Sequence, residues 1–212
     1  MRRLVLGAVM ASLIVILPAL GNTPVLGAAH LWILLVIAML ASVLQPHYNP
    51  FGIVFSSGDR GTGAQIIWSV YLVQLAASLE ATYLRCPQSI VWDAAAYLAV
   101  IGCMIGLSIR TWAVVTLGKF FTMHISIAES QVVVSHGPYA LVRHPSYLGA
   151  LILSLSAALF LHAWYAVIAA LLILPLAFLR RIHLEEKRLL DALGEDYEAY
   201  RRRTKKIIPY LF

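Results

Sequence analysis

Charge is what this chain has least of. Asp, Glu, Lys and Arg make up 12% of its 212 residues, and 61% are apolar; an ordinary soluble domain carries about 25% charge. So few charges cannot cover a water-soluble surface, which excludes that class. Cysteine is nearly missing: Cys86 and Cys103 supply neither a disulfide framework nor a metal-ligand cluster, so no metal is expected. The Gly61-Thr62-Gly63 stretch lacks the third glycine and the strand of a dinucleotide fingerprint. There is no soluble basic module of the kind that binds nucleic acid. Internal repeats are absent, which argues against a transporter. The histidines lie mostly outside the apolar runs, which argues against a haem anchor.

What the sequence does have is long apolar runs. Spanning a membrane takes about 20 apolar residues, and Leu4–Leu20, Leu31–Leu44, Ala64–Leu84 and Ala94–Leu117 are candidates. Between Arg143 and Arg180 there is no charged residue. As a single helix that stretch would be about 54 Å long at ~1.5 Å per residue, against a hydrocarbon core of about 30 Å. It is therefore expected to fold as a hairpin turning near His162–Trp164. The expected fold is an all-α integral membrane protein, a single domain over 1–212 with about six membrane helices, the last two a short hairpin. Arg2, Arg3, Arg60, Lys119, Arg143 and the basic tail fall on one side of such a chain, and the opposite loops carry only Arg85 and Asp93. By the positive-inside rule both termini are expected in the cytoplasm. Met1–Arg3 before an apolar stretch also has the form of a signal peptide. Leu17-Pro18-Ala19-Leu20 is a poor small-residue cleavage site, so a retained first helix is expected. His30 and His47, at helix ends, and His162, at the hairpin turn, are expected to face water or headgroups.

Residues 180–203 read as an amphipathic cytoplasmic helix following the hairpin, with Ile182, Leu189, Leu190, Leu193, Tyr197 and Tyr200 on one face. Glu186 falls inside that apolar stripe, where an acid needs a partner. Arg181 and Glu185 lie along its edge, one turn apart. The basic residues of this tail favour contact with membrane lipids.

Three clusters map to the cytoplasmic side: Leu117–Thr122 (LGKFFT), Gln131–Gly149 (QVVVSHGPYALVRHPSYLG) and Arg181–Glu186 (RIHLEE). The middle one carries Gly, Pro, Tyr, His and Arg directly before an apolar helix, a costly composition beside a membrane unless it lines a cavity. Arg110, inside a span, is a candidate for binding substrate from that cavity.

His144-Pro145-Ser146-Tyr147 within GPYALVRHPSYLG, then RIHLEE, then GEDYEAYRRR, resembles the isoprenylcysteine carboxyl methyltransferases and their bacterial relatives, from about Arg110 to the C-terminus. The resemblance implies an enzyme of the bacterial inner membrane that encloses S-adenosylmethionine between the last hairpin and the C-terminal helix. It makes 110–212 the cofactor-binding catalytic half and leaves 1–92 to shape the acceptor side. Tyr139, His144, Pro145, Ser146 and Tyr147 would hold the cofactor. So would Gln131, Val132, Val133 and Val134, largely through backbone groups, and His124. His124 falls where relatives often have glutamine, and Gln131 where they often have histidine. Glu185 matches the acid that meets the cofactor and Arg181 the arginine that meets the acceptor; Glu186 is expected to pair with a neighbouring base.

These residue types suit the chemistry implied. S-adenosylmethionine carries a sulfonium, an ammonium and a carboxylate, and an acid and a histidine satisfy two of those charges when buried. A carboxylate acceptor is already ionised near neutral pH and needs no general base. The acceptor is expected to be lipid-like and to enter from the bilayer. Alternatives on the same scaffold are a phospholipid amine, a thiol or a small apolar metabolite. A further alternative is an NADPH-dependent sterol-type reductase, which RHPSYLG and the ending IIPYLF also resemble.

Overall fold

A computed structural model describes residues 2–45, 60–122 and 131–209, with side chains from Gly7 onward. Among these residues the chain is all-helical: α1 (Arg2–Val15), α2 (Thr23–Gly27), α3 (Ala29–Leu44), α4 (Thr62–Tyr83), α5 (Ala94–Leu117), α6 (Pro145–Phe160) and α7 (Trp164–Arg203). Three of them, α4, α5 and α7, are long and apolar enough to cross a membrane, and three shorter apolar helices accompany them.

The helix ends follow from local chemistry. The run expected over Leu4–Leu20 stops at Val15 and tightens into a 3-10 turn at Leu17–Gly21, which contains Pro18; proline has no N–H to continue the ladder. The Asp93 carboxylate caps α5 by accepting the Ala96 N–H at 2.9 Å. The hairpin turn falls where it is expected, between Phe160 and Trp164, with His162 at φ 50°.

Periodicity predicts a separate amphipathic helix over 180–203, and the structure corrects this. That segment continues α7, with a sharp kink at Gly194 (φ 53°, ψ −126°). No helix breaker stands between Leu179 and Arg180, so nothing ends the helix at the apolar boundary. The break comes where glycine permits a positive φ.

Small residues set the packing. A Cβ on Gly106 would lie 2.6 Å from the Leu153 N, and one on Gly149 would lie 2.7 Å from the Arg110 N. The backbones of α5 and α6 therefore touch, a mode typical of apolar surroundings. This contact brings Arg110 beside the start of α6.

At the end of the bundle away from Arg181, the buried Glu80 of α4 accepts the N–H groups of Tyr165 (3.1 Å) and Ala166 (2.9 Å) and so caps α7. His30 and His162 differ from expectation. His30 is buried, stacked on Phe160 at 4.7 Å between ring centroids. His162 is also buried and sits 3.2 Å from the Asp93 carboxylate. Packing against neighbouring side chains, rather than contact with water, accounts for their burial, and His30 Nε2 and His162 Nδ1 find no hydrogen-bond partner among the described residues. His47 lies outside the described residues.

Candidate active site

A cavity of about 770 Å³ opens between the helices, walled by α1, α3, α4, α5, α6 and α7 and by the segments at 117–122 and 131–134. That lies within the range of about 300–1,000 Å³ usual for ligand sites. Its polar end is built around two adjacent glutamates with different partners.

Glu186 faces into the protein. Its Oε1 accepts from Arg143 Nε at 2.7 Å and lies 3.3 Å from His144 Nε2. Burial pushes this carboxyl up, but the hydrogen bonds from His144 and Arg143 outweigh it and bring it down to about 2. Arg143 also donates to the carbonyls of Arg201 (3.1 Å) and Thr204. The Arg143 and His144 N–H groups bond to the Lys205 (2.8 Å) and Lys206 (3.0 Å) carbonyls. One arginine thus ties the loop before α6, the middle of α7 and the chain after α7 into one strap.

Glu185 faces the cavity. Its Oε1 accepts both the Tyr147 hydroxyl at 2.7 Å and Arg181 Nε at 2.8 Å. Its Oε2 lies 3.8 Å from His144 Nδ1. One oxygen is therefore doubly engaged and the other has room for a cationic ligand group. Arg181 is almost fully buried (3% exposed) and also donates to the Thr62 hydroxyl at 3.3 Å.

Arg110 lines the cavity from α5. It donates to the Ser146 carbonyl (3.2 Å) and hydroxyl (3.1 Å) and to the Gln45 side-chain oxygen. No carboxylate among the described residues pairs with it. A half-buried guanidinium bonded to neutral oxygens keeps an attraction for an anion.

The remaining expected residues fall around these. Tyr139 donates to the Ala113 carbonyl at 3.3 Å, while its own carbonyl accepts the Tyr200 hydroxyl at 2.8 Å. Gln131, Val132, Val133 and Val134 line the cavity as a non-helical segment, as do His144, Ser146 and Tyr147. Pro145 is fully buried at the first turn of α6 and is not part of the lining. His124 lies outside the described residues. Sequence reasoning missed Gln45, Thr62 and the cavity-facing role of Tyr197 and Tyr200. The two tyrosines sit in the apolar stripe of 180–203, where periodicity reads them as packing. Gln45 and Thr62 come near the site only through tertiary folding.

Residues 98–191 match the model of the isoprenylcysteine carboxyl methyltransferase (ICMT) family. The resemblance carried by RHPSY and RIHLEE is thus borne out from α5 to the middle of α7. A probable protein-S-isoprenylcysteine O-methyltransferase of Oryza sativa subsp. indica is 33% identical over 117 residues, 54% of this chain and 61% of that protein. The protein-S-isoprenylcysteine O-methyltransferase of Schizosaccharomyces pombe is 32% identical over 109 residues, 50% of this chain and 46% of its own length. A methanethiol S-methyltransferase of a Pseudomonas species is 32% identical over 127 residues, covering 51% of this chain and 46% of that one. The chain thus spans about half the length of these relatives.

The donor set fits S-adenosylmethionine. Glu185 could meet its ammonium, and the rings of Tyr139, Tyr147 and Tyr200 its adenine or cationic sulfur.

Proposed function

We propose that this chain is an S-adenosylmethionine-dependent integral membrane methyltransferase that methylates the carboxyl group of a lipid-like acceptor. The observation that carries the reading is Glu185: a half-buried acid with one oxygen pinned by Tyr147 and Arg181, lining a cavity that runs on between apolar helices. Family relatives named as methyltransferases support it, and favour methyl transfer over an NADPH-dependent reduction.

When bound, S-adenosylmethionine supplies an electrophilic methyl group on its sulfonium. The residues of this chain do the positioning, which is most of the catalysis in an in-line displacement. Glu185 holds the cofactor's ammonium. Tyr147 and Arg181 keep that carboxylate in one rotamer. Tyr139, His144, Ser146 and the 131–134 segment close around the nucleoside. The acceptor's carboxylate, already ionised, lies between Arg181 and Arg110. Arg181 is the arginine implied by the resemblance, but Glu185 already neutralises it, so Arg110 carries the larger share of the anion's binding. Pro145 has a supporting role at the start of α6, and His124 is a cofactor contact as the resemblance implies.

The six apolar helices form six membrane segments with both termini in the cytoplasm, in a bacterial inner membrane. Residues 110–212 form the cofactor half, and the helices within 1–92 shape the acceptor's path. The likeness to a methanethiol S-methyltransferase supports a second reading, a thiol acceptor on the same scaffold.

Calorimetric titration of detergent-purified protein with S-adenosylmethionine, S-adenosylhomocysteine and NADPH tests the reading. Micromolar binding of the first two, lost in Glu185→Ala, is the expected result. Binding of NADPH alone would overturn it in favour of the reductase.

A further inference from the structure

The cavity does not become uniformly apolar with depth. Its α4 wall follows a helical stripe that begins Gly63, Ile66, Ile67, Val70 and ends Tyr71, Gln74, Ser78. These positions recur every three or four residues and so share one face. Gln74 is about 18 Å along α4 from Thr62 at ~1.5 Å per residue, well inside a hydrocarbon core of about 30 Å. From α6, Ser154 lines the cavity at the same depth, and its carbonyl accepts Gln74 Nε2 at 3.1 Å. The lining is therefore polar at the mouth, apolar in the middle and polar again at the deep end.

Polar side chains at membrane depth cost free energy unless they are bonded. The bond to Ser154 accounts for the amide nitrogen of Gln74, as an ordinary tie between helices. It leaves Gln74 Oε1 with no hydrogen bond found among the described residues, and Ser78, one turn further along α4, lines the same wall.

We propose that Tyr71, Gln74 and Ser78 form a second recognition site for the acceptor. Resting on the methyltransferase reading, this narrows the acceptor class to an amphiphile with two polar ends. One end is the carboxylate presented to Arg110 and Arg181. The other is a hydrogen-bond donor, such as a hydroxyl, read by Gln74 Oε1. An extended chain of about ten to fourteen carbons spans the apolar stretch between them, at roughly 1.2 Å per bond as in extended backbone. A plain hydrocarbon tail leaves the deep site unmatched, and specificity follows from that mismatch.

Dodecanoic acid and 12-hydroxydodecanoic acid serve as probes, titrated by calorimetry into full-length protein saturated with S-adenosylhomocysteine. The hydroxy acid is expected to bind about three- to tenfold more tightly, the range one buried hydrogen bond supports. In Gln74→Leu the preference should reverse, because the hydroxyl is then buried without a partner. Ser78→Ala, which keeps the bond to Ser154, guards against loss of fold in the first variant and should reduce the preference. Equal affinities, no binding by either acid, or a preference unchanged in both variants would overturn the proposal. Failure of S-adenosylhomocysteine itself to bind would instead overturn the methyltransferase reading.

Discussion

The molecule sets an ion-paired glutamate at each end of its helical bundle, and the two are used differently. Glu80 is 5% exposed. Its Oε1 accepts the Tyr165 N–H and the Arg85 guanidinium (3.2 Å), and its Oε2 accepts the Ala166 N–H. Both oxygens are engaged, two of the donors are backbone, and the effect is to cap the start of α7. Glu185 gathers its two donors, both side chains, on a single oxygen, and the other oxygen faces a cavity. Ion pairing is common to the two ends, and Glu80 is the more deeply buried of the two. What distinguishes a site is acceptor capacity that the fold leaves open toward a space large enough for a ligand.

Exchanging the two acids breaks the comparison most sharply. Glu185→Ala should weaken S-adenosylmethionine binding by about 30-fold or more, since removing one partner of a desolvated charge pair costs about 2–5 kcal/mol. Its effect on thermal stability should be smaller, because a ligand group rather than the fold needs that oxygen. Glu80→Ala should do the reverse. It strands the buried Ala166 N–H and the part-buried Tyr165 N–H, at about 1–3 kcal/mol, and lowers the melting temperature with affinity unchanged in the folded protein. Equal loss of binding in both variants would erase the distinction between the ends.

The two ends were not equally legible in the sequence. The mouth of the cavity announces itself, because Arg143, His144 and the Arg181–Glu186 run are polar residues beside apolar helices, where the composition is costly. The far end is made of residues whose purpose appears only in three dimensions. Glu80 lies in a helix that reads simply as a span, and its partners are N–H groups more than eighty positions away. His30 and His162 sit at helix ends, where exposure is the natural expectation, yet neighbouring rings and Asp93 bury them. Five of the expected cofactor contacts after Gly137 fall in one short stretch, and four of them line the cavity; Pro145 instead builds the turn that presents them. Helix periodicity located α7 but not its length, because the period says where a face lies and only Gly194 says where the axis bends.

A pair of glycines asks whether the ends are mechanically coupled. A Cβ on Gly149, near the mouth, would meet the backbone of Arg110 and Gly106 at 2.7 Å. Neither can move aside, so α5 and α6 must separate, at about 1–3 kcal/mol for overpacking. Gly149→Ala should therefore lower stability and also raise the KM for acceptor, by shifting Arg110 from Ser146. A Cβ on Gly102, deeper in the bundle, meets the Ser156 side chain, which can rotate. Gly102→Ala should cost less and leave KM alone. If both raise KM alike, packing at the two levels is transmitted rather than local.

The smallest effect expected is one of pH, and it separates Glu186 from its neighbour. Its carboxyl stands at about 2 in the folded protein against an ordinary value of 4.5, so between those values the unfolded chain binds more protons than the folded one. Stability therefore rises with pH across that window. The strap through Arg143 contributes fully above about pH 4.5 and is lost as pH falls toward 2. Melting temperatures should owe no slope to this group between pH 8 and about pH 5.5, and should fall below that in a way that Glu186→Gln flattens. The comparison of interest is the difference between the two melting curves, since other carboxylates titrate in both proteins. An acid limb identical in wild type and variant would mean that the ion pair with Arg143 does not hold the strap, and that the tail is kept in place by the backbone bonds from Arg143 and His144 alone.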